Sequence, residues 1–376
     1  MAENGRSRWG PGADQSEVLA TGGVSADVYR DGARYALERE RLFRRVWHVA
    51  GRVEEIPEPG DYLLWERIGQ SVVIMRKADG GLAAFHNVCR HRGVRIVRES
   101  GHCANGRLTC PFHAFVYDEE GRVVHVPERE TFDADRIEGL RANPVAIESW
   151  GGFLWIHLDP EEAPSLSAFL GELDPELSWY RMDEWRYVGG STYHADANWK
   201  VVLEGFLEAW HTPTVHANST RGGFDVERST FSTFAPHSMM VVPLTALDID
   251  SAPEPVEHRQ YADCQYLLFP NAFINMFPES GYLITVNPVD ETHTICQGYA
   301  VARKTPPEGV DQAAWDRSVE TSIGVMDRIM GEDLTIASEI ARNRDSFGYH
   351  ENLYSTLECR LTDFHEQVDR YLAGDA

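Results

Sequence analysis

Residues 89–113 read CRHRGVRIVRESGHCANGRLTCPFH, a Cys-x-His pair (Cys89, His91) and a Cys-x-x-His pair (Cys110, His113) with 18 residues between them. Zinc modules mostly pair Cys with Cys and His with His on local hairpins. Here each loop offers one thiolate and one imidazole. That distribution suits a [2Fe–2S] cluster in which one iron takes both thiolates and the other both imidazoles. Neutral imidazoles lower the negative charge of such a centre and raise its potential, so it accepts electrons readily from a reduced donor. Gly93 and Pro111 fit tight loops whose backbone amides can donate to cluster sulfurs.

A second constellation lies in NWKVVLEGFLEAWHTPTVH, residues 198–216. On a helix expected over 196–212, Glu204, Glu208 and His211 fall at i, i+4 and i+7, along one stripe. Pro213 ends that helix, and the turn after it brings His216 back beside His211. Two histidines with a carboxylate, leaving positions open, are the donor set of oxygen-activating Fe(II) sites.

These residues need a scaffold. ARYALERERLFRRVWHVAGR (33–52) has the apolar spacing of an amphipathic helix. From Asp61 the pattern becomes short strands divided by turn signals, with ADGG and DEEGR as hairpin turns. The stretch SWGGFLWIHLDPEEAP (149–164) marks a boundary. Beyond it QYLLFPNAFINMF, GYLITVNPVD and THTICQGYAVAR read as long antiparallel strands, and 311–343 and 353–374 as long helices. The expectation is an α+β chain: a tail and helix (1–47), an all-β domain (48–160) carrying the Cys/His loops, and an α+β domain (161–376) with a large antiparallel sheet covered by helices.

Composition narrows the partners. The 376 residues carry a net charge of −24, which repels nucleic acid and anionic membrane surfaces. No apolar run is long enough for a transmembrane helix, and the start has no secretory h-region. Cys103, Cys264, Cys296 and Cys359 are isolated and read as reduced thiols. The first 17 residues are polar and expected to be disordered. The location expected is the cytoplasm.

The segment AFHNVCRHRG…CPFHAFVYDEEGR resembles the Rieske domain of the Rieske non-haem iron oxygenases, the ring-hydroxylating oxygenase α subunits. That resemblance makes Cys89, His91, Cys110 and His113 the cluster ligands. Ala114-Phe115 stands where the family usually has Gly-Trp. Residues 198–216 resemble the family's second motif, which makes His211 and His216 ligands of a mononuclear iron. It makes Glu208 the carboxylate that bridges to a Rieske histidine of a neighbouring subunit. Gly205 stands where Asn is common. MDRIMGEDLTIASEIARN resembles the helix that supplies the third iron ligand. Asp333 is assigned, ahead of Glu332 and then Asp327. The resemblance spans about residues 33–374.

It further implies electrons from NAD(P)H through a separate flavin reductase, with or without a ferredoxin, O2 as co-substrate, and a homotrimer with or without a small β subunit. The chain has no flavin or nicotinamide fingerprint of its own. Residues 229–244 and 272–277, expected to line the pocket, are mostly apolar, which favours hydroxylation of a hydrophobic, aromatic substrate. The alternative is a monooxygenase or demethylase of a methoxy or methylammonium compound, since a Glu bridge occurs in family members resembling carnitine and betaine oxygenases. A non-catalytic Rieske electron carrier is the reading from another class, and the His211/His216 pair argues against it.

Overall fold

The structure is a computed structural model that describes residues 22–253 and 256–375. The expected disordered tail lies outside the described residues. Two compact units emerge: Arg44–Phe169, and a second in which the segment up to Phe43 joins everything from Leu170 onward. Among the described residues no helix is long and apolar enough to cross a membrane. All six cysteines are free.

The first unit holds three small antiparallel sheets. One runs Leu82–His86, Gln70–Arg76, Asp61–Arg67, Gly101–His102, and a second Leu108–Thr109, Val116–Tyr117, Val123–His125. The third is Ala146–Trp150, Phe153–His157, Trp47–Arg52. ADGG and DEEGR are indeed turns. In the latter, Gly121 adopts φ 76 and a Cβ there would lie 2.9 Å from the Phe85 ring, so only glycine fits.

The expected 33–52 helix is cut short. Asp31 caps Gly32–Leu37 by accepting from the Ala33 amide at 2.8 Å, a π-turn follows at Glu38–Leu42, and helical structure ends at Arg45. Trp47–Arg52 is a fully buried strand paired to Phe153–His157. Its aromatic and β-branched residues are buried all along, so sheet pairing overrides the helical spacing.

The second unit is built on an antiparallel sheet of eight strands. Its order is Trp185–Gly189, Thr294–Arg303, Ser280–Pro288, Ala272–Met276, Ala262–Leu268, His237–Pro243, Thr230–Phe234, with Thr192–Ala195 also pairing to Thr294–Arg303. His237–Pro243 is buried at every position, so its Met239–Val242 stretch is a continuous apolar run rather than an alternation. The long helix Gln312–Arg342 starts at Asp311, whose side chain accepts from the Ala314 amide at 2.9 Å. It buries Trp315, Val319, Met326, Met330 and Ala337, one stripe at helical spacing. Before the last helix, Cys359–Ala373, the chain makes a short strand, Glu351–Tyr354, which pairs with the first described strand, Gly22–Ser25.

The Asn-Trp-Lys motif fastens this unit. Asn198 caps Trp199–Glu204 by accepting from the Lys200 amide, while Trp199 Nε1 and Lys200 Nζ donate to buried Glu38 at 2.9 and 2.7 Å. Burial lowers the Lys200 pKa, and Glu38 opposes that shift. Glu204 accepts from Tyr29 at 2.8 Å and meets His365 Nε2 at 2.8 Å.

Candidate active site: a cluster cradle and a metal centre

The cluster candidates sit on two tight loops of the first unit. The Gly93 amide donates to the Cys89 carbonyl and the Ala114 amide to the Cys110 carbonyl, each closing a turn. Cys89 and Cys110 are each 2% exposed and lie in a core with Val73, Phe85 and Phe115. The rings of His91 and His113 meet with centroids 4.5 Å apart, and His91 stacks on Phe115 at 5.0 Å. His113 is exposed. Tyr117, which sequence reasoning missed, donates its hydroxyl to Cys89 Sγ at 3.1 Å and accepts from the Arg90 amide. Burial raises the Cys110 thiol pKa. The buried Nδ1 of His91 has no hydrogen-bond partner. Two buried sulfurs, two facing imidazoles and an orphaned ring nitrogen fit a [2Fe–2S] group. Ala114 carries φ 56, a left-handed conformation at a position where the resembling family has glycine.

The second constellation forms differently from the expected stripe. The helix Trp199–Glu204 stops at Gly205, and Glu208 and His211 follow in turns rather than on its continuation. Pro213 does not end a helix. It stands in the first turn of a new one, Thr212–Val215, with His211 as its N-cap and His216 as its C-cap. A single turn thus brackets the two histidines, and their Nε2 atoms lie 3.2 Å apart. Glu204 is turned away into the Tyr29–His365 network.

Asp333 completes the group: its Oδ1 is 2.9 Å from His216 Nε2 and 3.6 Å from His211 Nε2. It is three residues beyond Met330 and four before Ala337, so it takes a place in the buried stripe of the long helix. Glu332 points elsewhere, reaching His216 Nδ1 at 2.7 Å and accepting from Ser219 at 2.6 Å. Asp327 accepts from Ser191 and Tyr193, away from the histidines. Glu208 Oε1 meets His211 Nδ1 at 2.5 Å.

The donor chemistry fits a metal ion. With Nδ1–H of His211 given to Glu208 and that of His216 to Glu332, each imidazole presents a bare Nε2. Two bare nitrogens and a carboxylate oxygen, all within 4.8 Å of one another, are acceptors that only a cation or a shared proton reconciles. In the metal-free chain burial disfavours charged His216, but the Asp333 and Glu332 carboxylates outweigh it and raise its pKa. Burial raises the pKa of Asp333, against the pull of both histidines.

A chamber of about 60 Å³ adjoins this centre, lined by His211, His216 and Asp333 together with Asp263, Gln265 and Asn275. A larger cavity of about 500 Å³, mostly apolar, shares Phe224, Phe277 and Met326 with it. Of the segments expected to line the pocket, only Val242 and Leu244 from the first and Asn275 and Phe277 from the second do so. Sequence reasoning missed Asp263 and Gln265. Their i, i+2 spacing within ADCQYLL was the available signal, since it puts both on one face of a strand.

The Rieske [2Fe-2S] domain family matches residues 46–143, and the family described as ring hydroxylating alpha subunit (catalytic domain) matches residues 182–374. The chain is a Rieske non-haem iron oxygenase α subunit. Its cofactors are therefore a Rieske [2Fe–2S] cluster and a mononuclear iron, and it is an oxidoreductase rather than a bare electron carrier. It is 26% identical to the glycine betaine monooxygenase oxygenase subunit of Chromohalobacter salexigens, over 91% of this chain and 83% of the relative. It is 31% identical to the carnitine monooxygenase oxygenase subunit of Escherichia coli K12, over 51% of this chain and 52% of the relative. A solved quaternary ammonium Rieske monooxygenase superposes with a TM-score of 0.80 at 21% identity, covering 94% of this chain and 96% of that one.

Proposed function

We propose that this terminal oxygenase component acts as a monooxygenase on an N-methylated ammonium substrate. The observation that carries this reading is the lining of the chamber beside His211, His216 and Asp333, where the buried carboxyl of Asp263 stands with Gln265 and Asn275 and, among the described residues, has no basic partner. A buried acid favours a cationic head group over a neutral arene, and the apolar cavity of about 500 Å³ suits the rest of the molecule. The names of the glycine betaine and carnitine relatives support the same class. A second reading, hydroxylation of an aromatic substrate, is favoured by that larger cavity and its Phe224, Phe277 and Trp315 walls.

In this reading Cys89, Cys110, His91 and His113 hold the cluster, and His211, His216 and Asp333 hold the iron. When bound, the cluster relays single electrons and the iron activates O2. Glu208 fixes the His211 tautomer through Nδ1 and is the carboxylate through which electrons arrive from a neighbouring copy in a homotrimer. The exposed apolar rim near it supports such docking: Ile336, Ile340 and Leu353 line the same cleft as Glu208 and are 45%, 41% and 80% exposed. Glu332 orients His216. Electrons come from NAD(P)H through a separate flavin reductase, with or without a ferredoxin, in the cytoplasm. The balance is one N–CH3 group, O2, two electrons and two protons giving N–CH2OH and water, after which the N–CH2OH collapses to formaldehyde and the demethylated amine.

The test is a single turnover of pre-reduced protein under labelled O2 with arenes, methoxyarenes and methylammonium compounds, read by mass spectrometry. One labelled atom in formaldehyde or a hydroxylated product supports the proposal. Two labelled atoms on one ring would sink it in favour of dioxygenation.

A further inference from the structure

Acids buried in the second unit nearly all have partners. Glu38 takes Trp199 and Lys200, Glu204 takes Tyr29 and His365, and Asp333 faces both metal-site histidines. Asp263 differs. It is 1% exposed, its Oδ2 accepts from Gln265 Nε2 at 2.8 Å, and its Oδ1 has no hydrogen-bond partner. No basic side chain pairs with it among the described residues. The side-chain oxygen of Asn275 is likewise buried and unpartnered. Asn275 sits directly across the sheet from Gln265, so the three polar side chains share one face of two neighbouring strands. All three line the small chamber with the metal-site residues.

An unpaired carboxylate oxygen in a buried site is costly, and two lone acceptors side by side suit a ligand that brings hydrogen-bonding protons. A neutral arene would leave both unsatisfied. A quaternary ammonium brings charge but no N–H. A protonated amine brings both.

We propose that Asp263, with Asn275 beside it, is the specificity anchor of this oxygenase and selects a substrate whose methylated nitrogen is cationic and keeps an N–H: a protonated secondary or tertiary amine. The inference rests on the N-methylammonium reading and narrows it. The ammonium proton donates to Asp263 Oδ1, the N-methyl groups fill the chamber beside His211, His216 and Asp333, and an apolar body extends past Phe224 and Phe277 into the larger cavity.

The test uses the metal-loaded full chain and three matched probes: N,N-dimethylbenzylammonium, the quaternary benzyltrimethylammonium, and the uncharged isostere isobutylbenzene. Dissociation constants come from equilibrium dialysis. Wild type should hold the tertiary ammonium about tenfold or more tighter than either other probe, the range a hydrogen bond to a charged group gives. Asp263→Asn should remove that preference while the affinity for isobutylbenzene changes less than about twofold. The wild-type ranking needs no variant, so a misfolded Asp263→Asn leaves the test intact. Tighter binding of the quaternary probe, an equal loss for all three in Asp263→Asn, or no binding of the tertiary probe overturns the anchor. Formaldehyde release from the quaternary probe would then preserve the wider demethylase reading. Ring hydroxylation of isobutylbenzene without formaldehyde from either amine would remove both.

Discussion

The two metal-binding regions solve one problem in opposite ways. In the first unit the four candidate ligands come from two short loops, the sulfurs are sunk in an apolar core, and His113 faces outward. In the second, two histidines flank one turn while Asp333 arrives from a helix more than a hundred residues later, and a second carboxylate stands behind each ring. An electron relay needs an edge that a partner can reach. Oxygen chemistry needs ligands held rigidly in an enclosed space. The difference in burial follows from that difference in task.

Four changes test the contrast, taken from the largest effect to the smallest. His211→Ala should abolish turnover, by about a thousandfold or more, and lower iron from about three to about two per chain while the visible cluster spectrum stays. A loss of both together in a metal analysis would show that the two centres are not independent. Glu208→Gln should keep the hydrogen bond to His211 and both metals yet slow turnover by roughly a hundredfold, a single-turnover measurement with pre-reduced protein. Unchanged turnover would remove Glu208 from the electron path.

The third change acts on the second unit alone. Burial pushes the Asp263 pKa up to about 7, against the Gln265 hydrogen bond, so the folded chain binds this proton more tightly than the unfolded chain does. Its contribution to stability is full below the ordinary carboxylate range and is lost as pH rises through about 7. Asp263→Asn should therefore raise the melting temperature at pH 8, by a stability on the order of 2–4 kcal/mol, with the gain fading towards pH 4. A gain of the same size at both ends, followed by calorimetry, would mean the carboxylate is ionised throughout. The smallest change acts on the first unit. Ala114→Gly relieves a left-handed alanine and should stabilise the cluster loop by ~1 kcal/mol, seen as slower cluster bleaching on heating.

Legibility in the sequence followed the same contrast. The candidate cluster ligands lie in local spacing, so Cys89, His91, Cys110 and His113 could be proposed without knowing the fold. His211 and His216 could be read too, although the stripe argument behind them failed because the helix breaks at Gly205. Asp333 came from resemblance. Its physical signature, a carboxylate occupying a position of the buried stripe, distinguishes it from Glu332 and Asp327 once the stripe is known. The meeting of Asp263 and Gln265 with Asn275, and of His216 with Glu332, depends on strand register and on contacts across the chain, which no local pattern carries. Trp47–Arg52 misled for the same reason: its pairing partner lies a hundred residues downstream.

The strand Gly22–Ser25 pairs with Glu351–Tyr354, more than three hundred residues further along the chain. Translation therefore imposes an order of manufacture. Residues 44–169 are complete while most of the second unit is still unmade, so this unit can fold and receive its cluster during synthesis. The strand Gly22–Ser25 has to wait, unpaired, until Glu351–Tyr354 has been made. A product stalled before Glu351 would carry an iron–sulfur domain without a closed oxygenase domain, with Gly22–Ser25 an open edge for chaperones or aggregation.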